Sequence, residues 1–583
     1  LVGSEMCIRD RVYAIAYDGK VNFIDSLTTV SMWDVIIHNY LLAQDIVIPM
    51  KERGDKPRQI EGAYVKDPQC GMHDWVVSFD LNSLYPHLIM QYNISPETMR
   101  GQLMQYDLSV TSKSVDMFLD GELDVVRSEK EREQIIESVQ NVSDGFGDKA
   151  TTAKQATNYF LQFDTIREPL EKNNLTITPT GCLFDRTKRG FLPTLMENMY
   201  NDRSEWKKRM LYAKKAYEEN PSKALENEIA RCHNMQLAKK IQLNSAYGAL
   251  SNQFFRWFDN RLAESITKSG QLSIRWMENK MNENLNKILK TENEDYVIAI
   301  DTDSMYIKLG KFVEKTNPGK SEKDTVSYLD KVCSQYFEPF IDKNYQALAT
   351  YVNAYEQKMK MKREAIANKG IWTGKKHYIL NVYDLEGVRY TEPKLKIQGI
   401  ESVRSSTPAT CREHLKKAFS VIMNEDEKSL QSFIKKFKQT YKTLPFEDVA
   451  FPRSVRGLLK EDLYDPRTKK MVQKSYNTGT LNFLPATPIH VKGSLMYNYL
   501  LKLKKLETKY LSINEGEKIK FCYLLDSSPL PTNVIAAPGK LPKELGLDKY
   551  LDYETQFDKS FMEPLRTIIN LSLIHISEPT RRY

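Results

Sequence analysis

The sequence predicts an α+β protein, with long helices beside an antiparallel sheet that carries acidic side chains at its strand ends. One apolar run ends at Asp80, and two further apolar runs flank Asp301-Thr302-Asp303. The second pattern predicts a β-hairpin whose tip exposes carboxylates. Between these segments, residues 191–252 have a composition typical of long helices, with a break near Pro221. The break predicts an antiparallel helix pair.

The size and composition of the chain favour a folded protein with several subdomains. At 583 residues it is too long for one core, so we expect three or four subdomains. The net charge of +8 permits a nucleic-acid partner without requiring one. No apolar run approaches the roughly 18 residues that a membrane span needs, so no membrane partner is expected. The seven cysteines are scattered without a C-x-x-C pair, which argues against a zinc site or a disulfide framework and fits a reducing compartment.

The two ends of the chain resemble translated sequencing-adapter read-through, so residues 1–11 and 571–583 are predicted to be non-native and are excluded from the fold prediction. Residues 12–50 begin with a strand-like pattern and continue with a helix at about 32–44. A polar stretch then leads to the first acidic strand.

Residues 101–165 are charge-rich and show no recognisable motif. We expect a peripheral, solvated and irregular insertion there, with a short helix at the SEKEREQ sequence that begins at Ser128. Beyond Cys411, Lys-rich amphipathic helices are predicted at 429–443 and 497–511.

The carboxylates of Asp80 and Asp303 form the first candidate site. Close carboxylates repel each other unless a cation neutralises them. Two acidic strand ends that converge can hold two Mg²⁺ ions, an arrangement that moves phosphoryl groups. An exposed acidic turn is the alternative, and the apolar flanks of both segments argue against it.

The predicted helix pair supplies cations to the same site. Arg203 and Lys207 are spaced i, i+4, and Lys240, Asn244 and Tyr247 also share one helix face. Converging Arg and Lys side chains would bind a triphosphate, although an isolated basic pair is more often a solvated surface.

Two further residues fit a nucleotide site. Gly248 lowers helix stability, and a base pair that approaches the backbone closely would explain why a glycine stands there. Tyr85 follows the acidic strand directly and presents a flat ring where a nucleotide sugar would lie. Ordinary packing against Pro86 is the alternative role for that ring.

Four motifs resemble those of family B DNA polymerases. These are D-x-x-S-L-Y-P at 80–86, K-x-x-x-N-S-x-Y-G at 240–248, D-T-D-S at 301–304 and K-K-x-Y at 375–378, in this order. The stretch 372–408 is most similar to the replicative polymerases of T-even-type tailed bacteriophages, and the resemblance covers about residues 12–570.

The resemblance implies a right-hand polymerase with an antiparallel-sheet palm, helical fingers and a mainly helical thumb. The boundaries it implies are a remnant of an N-terminal domain at 12–50, palm at 51–190 and 253–410, fingers at 191–252 and thumb at 411–570. The activity it implies is transfer of a nucleotide from a dNTP to a primer 3′-hydroxyl, with two Mg²⁺ ions and release of pyrophosphate. It also implies a protein that acts in the cytoplasm of an infected bacterial host.

The resemblance also assigns roles to residues. Asp80, Asp303 and the carbonyl of Leu81 match metal ligands, and Asp301 matches an auxiliary acidic residue. Tyr85 matches the residue that excludes ribonucleotides. Further matches with nucleotide-binding positions are Ser83, Leu84, Arg203, Lys207, Lys240, Asn244 and Tyr247. Matches with DNA-binding positions are Gly248, Lys375, Lys376, Tyr378 and Lys396.

The sequence departs from the family pattern in several places. His87 stands where Ser is commoner, Ile300 replaces Gly or an aromatic residue, and His377 replaces Arg. No acidic cluster of a 3′–5′ exonuclease precedes Asp80, so exonuclease activity is expected to be absent from this chain. The tail that would bind a sliding clamp is expected to be missing.

Two other interpretations remain open at this point. One is a DNA-binding protein with an inactive polymerase fold. The presence of the charged residues Asp80, Asp303, Arg203 and Lys240 argues against it. The other is a protein-primed family B enzyme, which the T-even-like stretch disfavours.

Overall fold

The computed structural model describes residues 2–51, 60–102, 114–120, 122–126, 159–162, 164–458, 462–465, 470–473 and 487–572. The chain divides into two compact units. The first comprises Leu1–Lys66, Val77–Ile307 and Glu314–Glu364, and the second comprises Asp67–Val76, Lys308–Val313 and Ala365–Tyr583. The palm, fingers and thumb boundaries given above stay predictions.

The α-helices are numbered in chain order. They are α1 Val2–Gly19, α2 Thr29–Leu42, α3 Leu84–Tyr92, α4 Ser114–Asp120, α5 Asp164–Lys172, α6 Phe191–Glu219, α7 Lys223–Leu250, α8 Asn260–Leu289, α9 Gly310–Thr316, α10 Glu322–Val332, α11 Glu338–Tyr351, α12 Ala409–Asn424, α13 Glu427–Tyr441, α14 Phe446–Val449, α15 Ile489–Leu503, α16 Tyr553–Phe557 and α17 Glu563–Leu571. Single π-turns, Cys333–Phe337 and Asp558–Met562, join α10 to α11 and α16 to α17. Short 3₁₀ turns lie at Asp25–Leu27, Lys543–Leu545 and Asp548–Tyr550.

The strands are β1 Gly71–Leu81, β2 Met99–Gln102, β3 Glu122–Val126, β4 Tyr159–Gln162, β5 Leu175–Ile177, β6 Cys182–Asp185, β7 Val297–Asp301, β8 Ser304–Lys308, β9 Met361–Gly374, β10 His377–Leu385, β11 Val388–Gln398, β12 Phe451–Ser454, β13 Asp462–Asp465, β14 Lys470–Gln473, β15 Lys518–Tyr523 and β16 Val534–Ala537. The pairings described in detail are antiparallel, so the predicted α+β class with antiparallel sheets is confirmed.

The sheet of the first unit places β8 between β1 and β7. The first four residues of β7 are buried, as are Val77 to Phe79 of β1, because this sheet is covered and its strands are apolar at successive positions. Phe79 packs edge-on against Phe337. Smaller sheets in the same unit have the strand orders β2-β6-β5 and β3-β4.

The predicted helix pair is confirmed as α6 and α7, joined by residues 220–222. The Ser222 hydroxyl accepts from Leu225 N and begins α7. Lys239 of α7 contacts Asp202 of α6, so residues at equal distances from the connection meet, as antiparallel helices require.

Two predictions for the first unit are wrong. The strand-like pattern at Val12 lies in helix α1, where Ile15 and Ala16 are buried. Part of the 101–165 segment is also neither irregular nor peripheral. Phe118 of α4 is fully buried, and Asp116 forms an ion pair with Arg275 of α8. The helix predicted at Ser128 lies outside the described residues.

The second unit packs strands and helices around a hydrophobic core that is mainly aliphatic and includes the contacting rings of Phe437, Phe557 and Phe561. Strand β10 pairs with β9 and with β11, and two smaller sheets have the orders β12-β15-β16 and β13-β14. Helix α13 begins at an Asp426 cap, and its residues Leu430, Ile434 and Phe437 are buried at helical spacing. The helix predicted at 429–443 is therefore confirmed within two residues, whereas the one predicted at 497–511 is α15, Ile489–Leu503.

No helix among the described ranges is long and apolar enough to cross a membrane.

Candidate active site

The acidic hairpin closes through a two-residue turn. Asp301 pairs with Ser304, which leaves Thr302 and Asp303 at the tip. Asp303 N donates to Asp301 O over 2.7 Å, and Thr302 has a φ of 65°. The tight turn holds Asp301 and Asp303 at one end of the hairpin, as the sequence predicts.

The C-terminal end of β1 lies against this tip. Leu81 N donates to Asp303 O over 2.9 Å, and the Ser304 hydroxyl donates to Asp80 Oδ1 over 2.7 Å. These bonds join the strand end that carries Asp80 to the turn that carries Asp303. The two carboxylates selected from the sequence are therefore brought together.

The charge at this point is costly without a counterion. Burial, followed by repulsion from Asp80, raises the pKa of the Asp303 carboxyl to about 7, and Asp301 and Glu364 add further repulsion. Glu364 lies on β9 and accepts from the Ser78 hydroxyl of β1 over 3.1 Å. The sequence analysis missed Glu364, because no acidic pair or strand end marks it.

Residues 64–66, for which the sequence analysis makes no prediction, support the back of the hairpin. Val65 pairs with Asp301, and Thr302 N donates to Tyr64 O over 3.0 Å. Lys66 Nζ lies 2.6 Å from Glu278 and 2.7 Å from Asp295. These contacts fix the turn from the side opposite β1.

The donor set fits a divalent cation held jointly with a substrate. Asp80 and Asp303 offer hard carboxylate oxygens, and the raised pKa of Asp303 shows that a nearby positive charge would stabilise its ionised form. Among the described residues, no three His, Cys, Asp or Glu side chains already form a group suited to one ion. Mg²⁺ usually takes only one or two carboxylates and completes its shell with water and phosphate oxygens, so this arrangement is compatible with it.

The Asp303→Asn variant is expected to be more stable than the parent at pH 8 without divalent cations. The pKa of Asp303 is about 7 in the folded chain, against an ordinary value of 3.8. The folded state therefore keeps a proton that the unfolded state loses, so this residue's contribution to stability falls as pH rises from about 4 to about 7. Removing the charge should add on the order of 1–3 kcal/mol to the free energy of unfolding at pH 8. Denaturant titration at pH 5 and pH 8 measures this gain.

Millimolar MgCl₂ should reduce the difference, because a bound cation relieves the repulsion in the parent only. Exposed Asp526 provides the control, since Asp526→Asn should change stability by less than about 0.5 kcal/mol. Equal stabilities of parent and Asp303→Asn at both pH values would contradict the proposed repulsion.

The ring of Tyr85 lies beside the helices α7 and α8. Its centroid is 4.9 Å from that of Tyr247 on α7. A Cβ atom at Gly270 of α8 would lie 3.5 Å from Tyr85 Cε1, which places the ring against this helix. Burial raises the pKa of the Tyr85 hydroxyl, with smaller contributions from Tyr247 and Asp303. The predicted residues Tyr85 and Tyr247 thus share one surface, and Tyr85 lies near the carboxylate of Asp303.

Arg203 reaches the turn that follows β1. Its Nη1 donates to the Ser83 hydroxyl over 3.4 Å, and burial lowers the pKa of the guanidinium. Its buried Nε has no acceptor among the described residues. A buried hydrogen-bond donor without an acceptor is costly, so the Nε–H of Arg203 is suited to donate to an anionic group of a ligand.

The unusual His87 supports the same turn. Its Nδ1 lies 2.9 Å from Ser83 O, and its ring packs edge-on against Tyr200 of α6. Ser83 has a left-handed φ of 46°, which this contact helps to hold. Leu84 begins α3, and its side chain is buried.

The remaining predicted residues of the helix pair face solvent. Lys207, Lys240 and Asn244 are exposed. Within the described ranges, a Cβ atom at Gly248 would meet Thr29 alone, at 3.9 Å, so packing among these residues does not require this glycine. The space is available for a ligand.

The predicted DNA-binding residues near 375–396 belong to the second unit. Lys375 forms an ion pair with Asp67, and Lys376 has a φ of 62° in the turn between β9 and β10. Tyr378 is buried and stacks on Trp372. Lys396 lies on β11, where it pairs with Leu380.

The family model and the individual relatives that match this chain indicate the same protein family. The family model described as DNA polymerase family B matches residues 32–451. The DNA-directed DNA polymerase of Enterobacteria phage T4 is 30% identical over 95% of this chain and 60% of its own length. That of Escherichia phage RB69 is 32% identical over 94% of this chain and 59% of its own length. DNA polymerase 1 of Pyrococcus abyssi is 24% identical over 63% of this chain and 33% of its own length. The chain thus spans about three fifths of the length of the two phage relatives.

Proposed function

The chain belongs to DNA polymerase family B, and we propose that it catalyses template-directed DNA synthesis. In this reaction a primer 3′-hydroxyl attacks the α-phosphorus of a dNTP, and pyrophosphate leaves. The observation that carries the proposal is the joining of Asp80 to the Asp303 turn, because two converging carboxylates suit phosphoryl transfer.

The triphosphate would bind along one side of the helix pair. Arg203 has a buried Nε that lacks an acceptor among the described residues, and it can form a bidentate contact with phosphate oxygens. Lys207 and Lys240 are exposed cations on α6 and α7. Their charge would stabilise the pyrophosphate as negative charge develops on it.

Asp80, Asp303 and the Leu81 carbonyl would hold two Mg²⁺ ions. When bound, the ions would lower the pKa of the primer hydroxyl and stabilise charge on the departing oxygen. Asp301 and Glu364 would add negative charge near the cations and strengthen their binding. The Ser304 hydroxyl would orient Asp80 through its hydrogen bond.

The sugar and base would lie against the two tyrosines. Tyr85 would occupy the space that a ribose 2′-hydroxyl needs, and its position between Tyr247 and Gly270 limits the movement of the ring. Asn244 and Tyr247 would face the nascent base pair, which Gly248 allows to approach the helix closely.

Primer–template DNA would contact Lys375, Lys376, Tyr378 and Lys396 of the second unit. The basic excess of the chain favours such a partner, and binding should weaken with salt. Two relatives are phage proteins, so we propose that this protein acts in an infected bacterial host. A sliding clamp is a further proposed partner of the intact protein.

An inactive polymerase fold is a weaker proposal. A buried carboxylate with its pKa near 7 destabilises the folded chain at neutral pH, and a protein without catalytic use for it gains nothing by keeping it.

A primer-extension assay tests the proposed function. The purified chain, given a DNA primer–template, dNTPs and MgCl₂, should lengthen the primer to the end of the template. The product should depend on the template sequence, and chelation of Mg²⁺ should stop the reaction. Absence of extension by a folded chain that binds primer–template would contradict the proposal.

Replacing Tyr85 by alanine should admit ribonucleotides. Loss of the ring opens the space beside Tyr247, so the preference for deoxynucleotides should fall by about 10²-fold, the order that a shaped pocket gives for one added hydroxyl. The measurement is the ratio of kcat/KM for the two nucleotides. Tyr85→Phe keeps the ring and should keep the preference, whereas an unchanged ratio in Tyr85→Ala would mean that Tyr85 only packs.

A further inference from the structure

Helix α7 presents different residues to opposite sides. Lys240, Asn244 and Tyr247 lie on the side proposed to bind the nucleotide, which we call the nucleotide face. Lys239, Gln242 and Ser245 lie on the other side, because each residue turns a helix by about 100°. The second set contacts the chain that precedes β1 and helix α6.

The contacts of this second set are directional. Lys239 Nζ lies 2.6 Å from Asp18 Oδ1 of α1 and 2.9 Å from Asp202 Oδ2 of α6. Trp33 Nε1 of α2 donates to the Ser245 hydroxyl over 3.0 Å. Gln242 Nε2 donates to the Ile15 carbonyl over 3.4 Å. Helices α1, α2 and α6 therefore all hold α7 from behind the nucleotide face.

Lys239 is an unusual residue at such a position. It is only 6% exposed, and a lysine is almost never buried unless it is paired. Apolar packing alone would let a helix slide or rotate by small amounts, whereas an ion bonded to two carboxylates has one favourable position. Rotation of α7 by one residue would break both ion pairs and turn Lys240 away by about 100°.

We propose that Lys239 is a positioning residue for nucleotide binding. The Asp18–Lys239–Asp202 bridge, with the Trp33–Ser245 hydrogen bond, fixes the rotation and height of α7, so that Lys240, Asn244 and Tyr247 face the nucleotide. This inference rests on the proposed function of the nucleotide face. Lys239 itself touches neither nucleotide nor DNA.

The test compares Lys239→Met, which removes the charge and keeps an unbranched side chain only one atom shorter, with Lys240→Ala and the double variant. Lys239→Met should raise KM for dNTP by about ten- to hundredfold, the range that a small misplacement of a binding group produces. The dissociation constant for primer–template should change less than about twofold, because the lysines proposed to bind DNA, Lys375, Lys376 and Lys396, lie outside α7. The loss in the double variant should be clearly smaller than the product of the two single losses, because part of the effect of Lys239 passes through Lys240.

Two controls separate positioning from folding. Lys223→Met, at the exposed start of the same helix, should leave all constants unchanged. Lys239→Arg should restore most of the nucleotide affinity, since it retains a charge for both carboxylates. If Lys239→Met unfolds below the assay temperature, Asp18→Asn replaces it as the test variant. The same constants are then measured, and KM for dNTP should rise by about threefold or more.

The outcomes are distinct. Losses that multiply in the double variant, or an unchanged KM in a folded Lys239→Met, would overturn the positioning role. If Lys240→Ala also left nucleotide use unchanged, the proposed function of the face would fail as well.

Discussion

Replacement of Asp80 or Asp303 by alanine is expected to abolish primer extension while leaving duplex DNA binding largely intact. The carboxylates are proposed to hold cations rather than DNA, and the turn and strand that carry them are joined by backbone bonds that the substitutions leave in place. Loss of several kcal/mol of charge stabilisation lowers the rate by about 10³-fold or more. Single-turnover extension measures the rate, and fluorescence anisotropy with labelled primer–template measures binding.

Matched variants make this result specific. Asp301→Ala should impair extension less than Asp303→Ala, because Asp301 is proposed only as an auxiliary charge. Asp74 is an exposed carboxylate on β1, the strand that also carries Asp80, and Asp74→Ala should leave extension unchanged. Residual activity above about a tenth of the parent in either principal variant would refute the two-metal assignment.

The acidic hairpin and the helix pair were predictable because their signals are local. Apolar runs on both sides of Asp301-Thr302-Asp303 predict two buried strands joined by a polar turn, which is a hairpin with carboxylates at its tip. Similarly, a long stretch without strand patterning, broken at Pro221, gives two helices with a short connection. Asp80 and Asp303 could be selected as candidates because carboxylates at the ends of apolar strands are costly unless a cation neutralises them.

Other parts of the site depend on contacts between distant residues, which no local pattern reveals. Glu364 lies within a long strand and follows Lys362-Arg363, so its sequence context resembles an ordinary solvated strand. Only its closeness to Ser78 and Asp303 shows its electrostatic role. In the same way, Val65 and Lys66 support the hairpin through partners more than 200 residues away.

The error at the beginning of the chain has a physical cause. Residues 12–17, VYAIAY, combine aromatic and branched side chains in a pattern that favours a strand. In the structure the segment is helical, and its buried Ile15 and Ala16 lie on the turn that contacts α7. Packing against a long helix therefore outweighs local preference, as is common for short segments.

Alanine at Lys240 or at Arg203 should lower kcat/KM for dNTP by about 10²-fold, because each removes a charge-assisted contact with the triphosphate. The dissociation constant for primer–template should change little, since neither cation is proposed to touch DNA. The effect of Arg203→Ala should be the larger, because it also removes the Ser83 contact and the buried Nε that lacks an acceptor within the described residues. Steady-state kinetics with varied dNTP, combined with anisotropy, separates the two constants.

Exposed Lys208 of α6 is the matched control, because it lies about 140° around the helix from Arg203, and Lys208→Ala should leave nucleotide use unchanged. Selective loss of DNA binding in Lys240→Ala or Arg203→Ala would instead assign that cation to the DNA backbone.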